Sequence, residues 1–297
     1  MKVKWKLGFN TFWWENLDKL GKLRDCIKSL VEIGYDAVEF KLDSFGTEEP
    51  GKAVIRAAQE ARKAGLIVSN LVILRGIGVP ETCQKNVADV SNAIRICGEA
   101  GIEVLNMVTG GPARVPTCSP DEWWEMPQTR IHPHTWDTLV RSLEKLTKVA
   151  DAEKVDLALE ACIGNIVNDL GTMLALFRKY DHPRLMVTFD PSHYVLAGQD
   201  IGLAIRTLGN KIRHVHLKDA AGRVGEMGSG FIFPFPGEGM TDWHIFFEAL
   251  KDINYNKVVS IEFEAFRFME VVWERDPVQA ARLSKTAADG LIKKYVK

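Results

Sequence analysis

Short β-branched apolar runs alternate along this chain with longer stretches whose apolar residues recur every three or four positions. Runs of the first kind read as buried strands and stretches of the second kind as amphipathic helices. Eight strands are predicted, over 6–11, 36–41, 66–73, 102–108, 156–161, 185–190, 212–217 and 258–263. The helical period between them is explicit. Leu20, Leu23, Ile27 and Leu30, with Val31, mark one apolar face that stops at Gly34, a predicted left-handed cap. Ala53, Ala57, Ala61 and Ala64 do the same before Gly65, and Val87, Val90, Ile94 and Cys97 before Gly101. Leu139, Leu143, Leu146 and Ala150 lead into the fifth strand, and Leu170, Leu174 and Phe177 into the sixth. Asp242 is placed to N-cap a helix that holds Phe246, Phe247 and Leu250.

Strand and helix in alternation predict an α/β fold with a parallel sheet and right-handed crossovers. Eight units in 297 residues, about 37 each, suit a closed (β/α)8 TIM barrel. The rival is an open doubly wound sheet, which carries a Gly-x-Gly-x-x-Gly turn after its first strand. Here Asn10-Thr11-Phe12-Trp13-Trp14 stands in that place. With no linker, low-complexity tract or charge block, a single domain over 1–297 is expected. Two connections are long against the usual ~4–6 residues. One runs from Gly110 to His134 with Trp123, Trp124, His132 and His134; the other runs from Asp219 to Gly239 with Phe231, Phe233 and Phe235. They follow strands four and seven, which puts both at the C-terminal face, where barrel active sites form.

Charge narrows the range of partners. With 38 Lys+Arg against 39 Asp+Glu, the net charge of −1 offers no footprint for a nucleic acid. No apolar run approaches ~18 residues, so no membrane span is expected. The start, Met1-Lys2-Val3-Lys4-Trp5-Lys6, lacks the apolar core of a signal peptide. Cys26, Cys83, Cys97, Cys118 and Cys162 contain no Cys-x-x-Cys pair and are odd in number, which fits reduced thiols in a cytoplasm.

The candidate chemistry lies in the second half of the chain. Strand five ends Leu157-Ala158-Leu159-Glu160, strand six Val187-Thr188-Phe189-Asp190, strand seven reads His214-Val215-His216, and strand eight ends Ser260-Ile261-Glu262. Adjacent parallel strands then aim Glu160, Asp190, His216 and Glu262 at one point. Gathering three carboxylates without a cation is costly, because like charges and desolvation both oppose ionisation. Three carboxylates and one imidazole make a hard, mainly oxygen donor set. It suits one divalent ion, Mn²⁺ first, with Mg²⁺ or Co²⁺ tolerated and Zn²⁺ less suited.

These residues resemble the sugar phosphate isomerase/epimerase superfamily, the xylose-isomerase-like barrels that include ketose 3-epimerases, inosose dehydratases and endonuclease IV. The resemblance runs from Ala37-Val38-Glu39-Phe40 to Ile261-Glu262-Phe263-Glu264. It is most specific at Phe189-Asp190-Pro191-Ser192-His193, His214-Val215-His216-Leu217-Lys218-Asp219 and Pro236-Gly237-Glu238-Gly239. The ketose 3-epimerase pattern implies Glu160, Asp190, His216 and Glu262 as metal ligands. It also implies His193 and Arg223 as holders of substrate oxygens, and an association into homo-oligomers. The reaction to expect is proton abstraction beside the carbonyl of a keto sugar or related polyol, through an enediolate. Glu160 and Glu262 would act as base and acid for isomerisation or epimerisation. Elimination, as in a cyclitol dehydratase or 3-keto-glycoside lyase, is the alternative outcome of the same chemistry. A non-catalytic sugar-binding module ranks below both. A nuclease is disfavoured, because no His follows strand two or three.

The remaining candidates have two readings each. Lys218, on the face of His216, could meet a substrate anion. Glu39 could bond substrate or a neighbouring strand, and Trp14 could line the sugar site or pack in the core. His132 and His134 could supply an acid or base from the loop after strand four, or be solvated. His214 reads as a packed core histidine and Cys162 as a small buried hydrophobe. Glu264 is either behind Glu262 or exposed, and the apolar stretch from Phe266 to Trp273 packs under the last helix or forms an oligomer contact.

Overall fold

The structure is a computed structural model that describes residues 5–47, 49–110, 133–223, 230–265, 269, 272 and 274–296, the side chains of 133 and 134 excepted. Eight parallel strands close into a barrel. They are β1 (Lys6–Asn10), β2 (Ala37–Lys41), β3 (Ile67–Ile73), β4 (Val104–Met107), β5 (Asp156–Glu160), β6 (Leu185–Phe189), β7 (Ile212–Leu217) and β10 (Val258–Ile261). Closure comes from β10, which pairs with β1 on one side (Phe9 against Ile261) and with β7 on the other (Ser260 against His216). The helices outside are α1 (Leu20–Ile33), α2 (Gly51–Lys63), α3 (Cys83–Ala100), α4 (Pro133–Glu153), α5 (Leu170–Lys179), the short α6 (Pro191–Leu196), α7 (Ile201–Leu208), α8 (Trp243–Asp252) and α9 (Pro277–Tyr295).

The helix-to-strand transitions follow from glycine and the residue after it. Gly34, Gly65 and Gly101 all have positive φ. The next residues, Tyr35, Leu66 and Ile102, donate their amides back to Leu30, Ala61 and Cys97 at 3.0, 3.0 and 2.8 Å. That is one C-terminal closure used three times, and each time the apolar residue after the glycine is buried. It also explains why β4 starts later than its apolar run, since the amide of Ile102 is committed to the helix. The buried face of α1 is Leu23, Cys26, Ile27 and Leu30, whereas Leu20 and Val31, expected on it, are exposed. Leu20 is the first helical residue and Val31 lies about 100° round the axis from Leu30. Asp242 caps α8 as expected, accepting from Ile245 N at 3.0 Å.

Two differences shape the C-terminal mouth. Asp190 is not a strand residue but the N-cap of α6, with Pro191 at the first helical position, where its missing N–H costs nothing. The connection after β7 carries an unpredicted hairpin, β8 (Ala221–Gly222) against β9 (Phe231–Ile232). Asp219 fastens this connection. Its Oδ1 accepts from Ala220 N and Thr241 N at 2.9 and 3.1 Å, and its Oδ2 from Gly237 N, Gly239 N and Trp243 Nε1 at 2.8, 2.9 and 3.2 Å. A Cβ on Gly239 would sit 2.3 Å from Asp219 Oδ1, so that glycine is required by the close approach. His132, Trp123, Trp124 and most of the stretch Phe266–Trp273 lie outside the described residues.

Candidate metal centre

Each of the clustered side chains sits where a strand ends. Glu160 is the last residue of β5, His216 the fifth of β7, and Asp190 and Glu262 follow β6 and β10 directly. Strand alternation turns Glu160 inward, since Leu159 and Leu157 face the helices. Capping orients Asp190: its Oδ1 accepts from Ser192 N at 2.8 Å and its Oδ2 is left to the cluster. From His216 Nδ1 the distances are 3.4 Å to Glu160 Oε1, 3.5 Å to Glu262 Oε2 and 3.7 Å to Asp190 Oδ2. The four donor atoms lie within 4.8 Å of one another, and all four side chains are buried.

These spacings fit a shared cation. Donors about 2.1 Å from one ion stand roughly 3.0–4.2 Å apart, too long for hydrogen bonds and right for co-ligands. Two of the atoms concerned, His216 Nδ1 and Asp190 Oδ2, are buried without any hydrogen-bond partner. Lys218 offsets part of the charge on Asp190 Oδ2 from 3.4 Å, but three converging carboxylates and a ring nitrogen outside hydrogen-bond geometry are costly to bury, which points to a cation that binds there.

Behind the cluster, the other ring nitrogen is tied down. His216 Nε2 is 3.0 Å from Glu39 Oε1, and His214 Nε2 is 3.0 Å from Glu39 Oε2. Asn10 Nδ2 also donates to Glu39 Oε1, at 3.1 Å, so three donors converge on one fully buried carboxylate. Burial alone would raise the Glu39 carboxyl, but His216 and His214 outweigh it and hold it well below the usual carboxylate range. Burial alone would lower His216, but Glu39, Glu262 and Glu160 outweigh it and hold the ring well above the usual imidazole range. With Nε2–H taken by Glu39, Nδ1 is the nitrogen that would release its proton to an incoming cation. That is the orientation a metal-ligating histidine needs.

The electrostatics are lopsided towards negative charge. Burial pushes Glu160 up to about 7, with Glu262 and Asp190 adding to the rise and His216 opposing it. Burial also acts on Asp190, but the Lys218 ammonium and His193 hold that group well below its usual value. The fully buried Lys218 donates to Glu262 Oε2 at 2.8 Å and to Glu264, and lies 3.4 Å from Asp190 Oδ2. The carboxylates outweigh burial and keep it cationic. His193 Nε2 stands 3.6 Å from Asp190 Oδ2 and 3.7 Å from Glu160 Oε1, while burial pushes its ring down to about 4. It is a neutral imidazole at pH 7, with Nδ1 buried and unpartnered.

Set against the sequence-based candidates, the structure brings together Glu160, Asp190, His216 and Glu262, with His193 and Lys218 beside them. Lys218 is enclosed by the carboxylates of Glu262, Glu264 and Asp190, with the Phe233 ring 4.4 Å from its ammonium. Glu39 is sealed behind His216 instead of reaching the mouth. Arg223 is exposed on the hairpin with its guanidinium beside Gly198, away from the cluster. Trp14 is buried edge-on against Phe9, with ring centroids 5.8 Å apart. His132 lies outside the described residues, and His134 falls in the first turn of α4, its side chain not described. Sequence reasoning missed Asn10, which also donates to Glu262 Oε1 at 3.1 Å, and Asn106, 3.4 Å from Glu160 Oε2. The available signal was an amide interrupting an otherwise apolar strand.

Comparison with known proteins places this geometry. Residues 27–291 match the family described as xylose isomerase-like TIM barrel. The chain is 26% identical over 268 residues to an L-ribulose 3-epimerase of Mesorhizobium japonicum, covering 86% of this chain and 80% of that one. It is 28% identical over 140 residues to an inosose dehydratase of Geobacillus thermodenitrificans, covering 43% of this chain and 47% of the other. Among solved structures it superposes on the IOLI protein with a bound zinc atom at a TM-score of 0.73, with 17% identity over 98% of this chain and 99% of that one. Among the described residues, no helix is long and apolar enough to cross a membrane.

Proposed function

We propose that this chain, which belongs to the xylose isomerase-like TIM barrel family, is a divalent-metal-dependent isomerase or epimerase of a keto sugar or related polyol. The observation that carries the reading is the convergence of four buried side chains, Glu160, Asp190, His216 and Glu262, whose donor atoms lie within 4.8 Å of one another. Glu160, Asp190, His216 and Glu262 would hold one ion, Mn²⁺ first by the hardness of the donors. When bound, that ion supplies a Lewis acid for the carbonyl and a neighbouring hydroxyl of the sugar.

The protein's own groups then account for the proton transfers. Glu160 and Glu262 approach the centre from β5 and β10, on different sides of the barrel mouth. One removes the proton beside the carbonyl, and the other returns a proton to the opposite face or to the adjacent carbon. His193, neutral and with a free Nδ1, is placed to hydrogen-bond a substrate oxygen. Lys218 donates to Glu262 Oε2 at 2.8 Å and so fixes where that carboxylate stands, and the Phe233 ring covers the ammonium. Similarity to an L-ribulose 3-epimerase supports a monosaccharide substrate.

Elimination is the second reading, favoured by the similarity to an inosose dehydratase. Both readings begin with the same proton abstraction and part at the next step. Incubation in D2O with metal and a panel of ketoses and inososes, followed by NMR, tests them. Deuterium wash-in with the carbon skeleton intact is expected for epimerisation, and loss of water for elimination. The absence of both wash-in and loss of water with all of these compounds contradicts both readings.

A further inference from the structure

Beside the metal centre, on the same face of the barrel, lies a cleft of about 540 Å³ whose walls include Phe12, Trp13, Trp14, Lys22, Lys41 and Arg275. Its wall is continuous with that of the cluster, because the Trp13 indole donates to the carbonyl of Phe263, the neighbour of Glu262, at 2.8 Å. Lys41 ends β2, immediately after Glu39 and Phe40. Its ammonium stands 3.7 Å over the Phe12 ring, half-buried, and among the described residues no carboxylate comes within ion-pair distance of it.

The acids that face Lys41 are engaged elsewhere. Asp43 takes both terminal nitrogens of Arg75, at 2.7 and 3.3 Å, and Glu264 and Glu262 are held by Lys218. Glu15, also in the wall, pairs with Arg275 at 3.5 Å on the exposed rim. Lys22 and Lys41 bring positive charge to the cleft, next to a centre rich in carboxylates. A half-buried ammonium fixed against an aromatic face is suited to pairing with an anion.

We propose that this cleft is an anion subsite: it receives a phosphate or carboxylate group that the substrate carries at the end remote from the reacting carbon, with Lys41 as the main counter-ion. The inference rests on the metal-site reading and names its substrate class, an acidic sugar. The aromatic walls exclude water and leave the apolar face of the sugar chain in contact, which makes the single charge pair stronger.

The test compares solvent-deuterium exchange by the metal-loaded protein into D-fructose, D-fructose 6-phosphate and D-fructuronate, for the wild type and Lys41→Gln. At least one acidic sugar is expected to exceed D-fructose in kcat/KM by about tenfold or more, and Lys41→Gln to erase that preference through KM. Which acid is preferred distinguishes phosphate from carboxylate. Exchange of D-fructose as fast as both acids, or an equal loss on all three in the variant, overturns the subsite. Calorimetric binding of glycerol 3-phosphate, which has no carbonyl to react, separates this failure from failure of the proposed reaction. Binding at least about tenfold weaker in Lys41→Gln supports the subsite even if no sugar exchanges, whereas equal binding in the two proteins overturns it.

Discussion

Strand β5 begins and ends with an acid, and the two have opposite surroundings. Asp156, at the N-terminal end, is bound by Arg184 Nη1 at 3.0 Å and Arg213 Nε at 2.7 Å, and Arg213 continues to Glu103. Glu160, four residues on, meets Asp190 and Glu262 as neighbours, with an imidazole nitrogen and an amide nitrogen each 3.4 Å away. At the lower end Asp156 and Glu103 each have a guanidinium, so their charges are settled by the protein alone. At the upper end the carboxylates outnumber the fixed cations, and burial pushes one of them to about 7. The same strand therefore carries a structural acid and a reactive one, and what separates them is the absence of an arginine. Where a fold leaves buried charge uncompensated, the site is built for something that arrives from outside.

The contrast is broken most severely at Glu160. Glu160→Gln, assayed at saturating metal, is expected to lower proton exchange by about 10²- to 10⁴-fold, the usual scale for a lost general base. Retained exchange would show that the upper acid is as structural as the lower one.

Glu39→Gln comes next. It replaces an acceptor of two imidazole N–H groups with an amide that can turn His216 the wrong way, and metal affinity is expected to fall by about 10- to 100-fold. Calorimetric titration of the metal checks this, with circular dichroism to confirm the fold.

The pH dependence follows from the sign of the Glu160 shift. A carboxyl raised from 4.5 to about 7 binds its proton more tightly in the folded chain, so the stability it contributes is present below about pH 4.5 and is lost as pH rises through about 7. His193, lowered from 6.5 to about 4, acts oppositely: its contribution is present above 6.5 and lost as pH falls through about 4. A divalent ion must displace the Glu160 proton, so the metal-induced rise in Tm is expected to be larger at pH 8 than at pH 6. Thermal melts with metal and with chelator measure it, and an equal rise at both pH values contradicts the account.

The smallest effect is expected at the other end of the strand. Asp156→Asn should cost about 1–3 kcal/mol of stability by leaving Arg213 and Arg184 under-paired. Turnover per folded molecule and metal affinity should be unchanged.

How much of this was legible in the chain varies by scale. The barrel was legible because both periods are local: Leu23, Ile27 and Leu30 fix a helix face, and Gly34, Gly65 and Gly101 fix where each helix stops. The convergence of Glu160, Asp190, His216 and Glu262 was legible because each follows an apolar strand and parallel strands end on one face. The roles of Glu39 and Lys218 were not. Whether an acid at the end of β2 meets substrate or His216 depends on contacts across the barrel, between residues 177 positions apart, which no local pattern encodes. The hairpin after β7 was missed for a related reason. Its strands are two residues each, and it is held by Asp219 accepting backbone amides up to 22 residues away, including those of the Pro-Gly-Glu-Gly turn.

Crystals loaded with Mn²⁺ and measured for anomalous scattering test the central claim most directly. A single strong peak is expected, bounded by Glu160, Asp190, His216 Nδ1 and Glu262. A fully loaded crystal with no peak there, or with the ion bound elsewhere, would contradict the account.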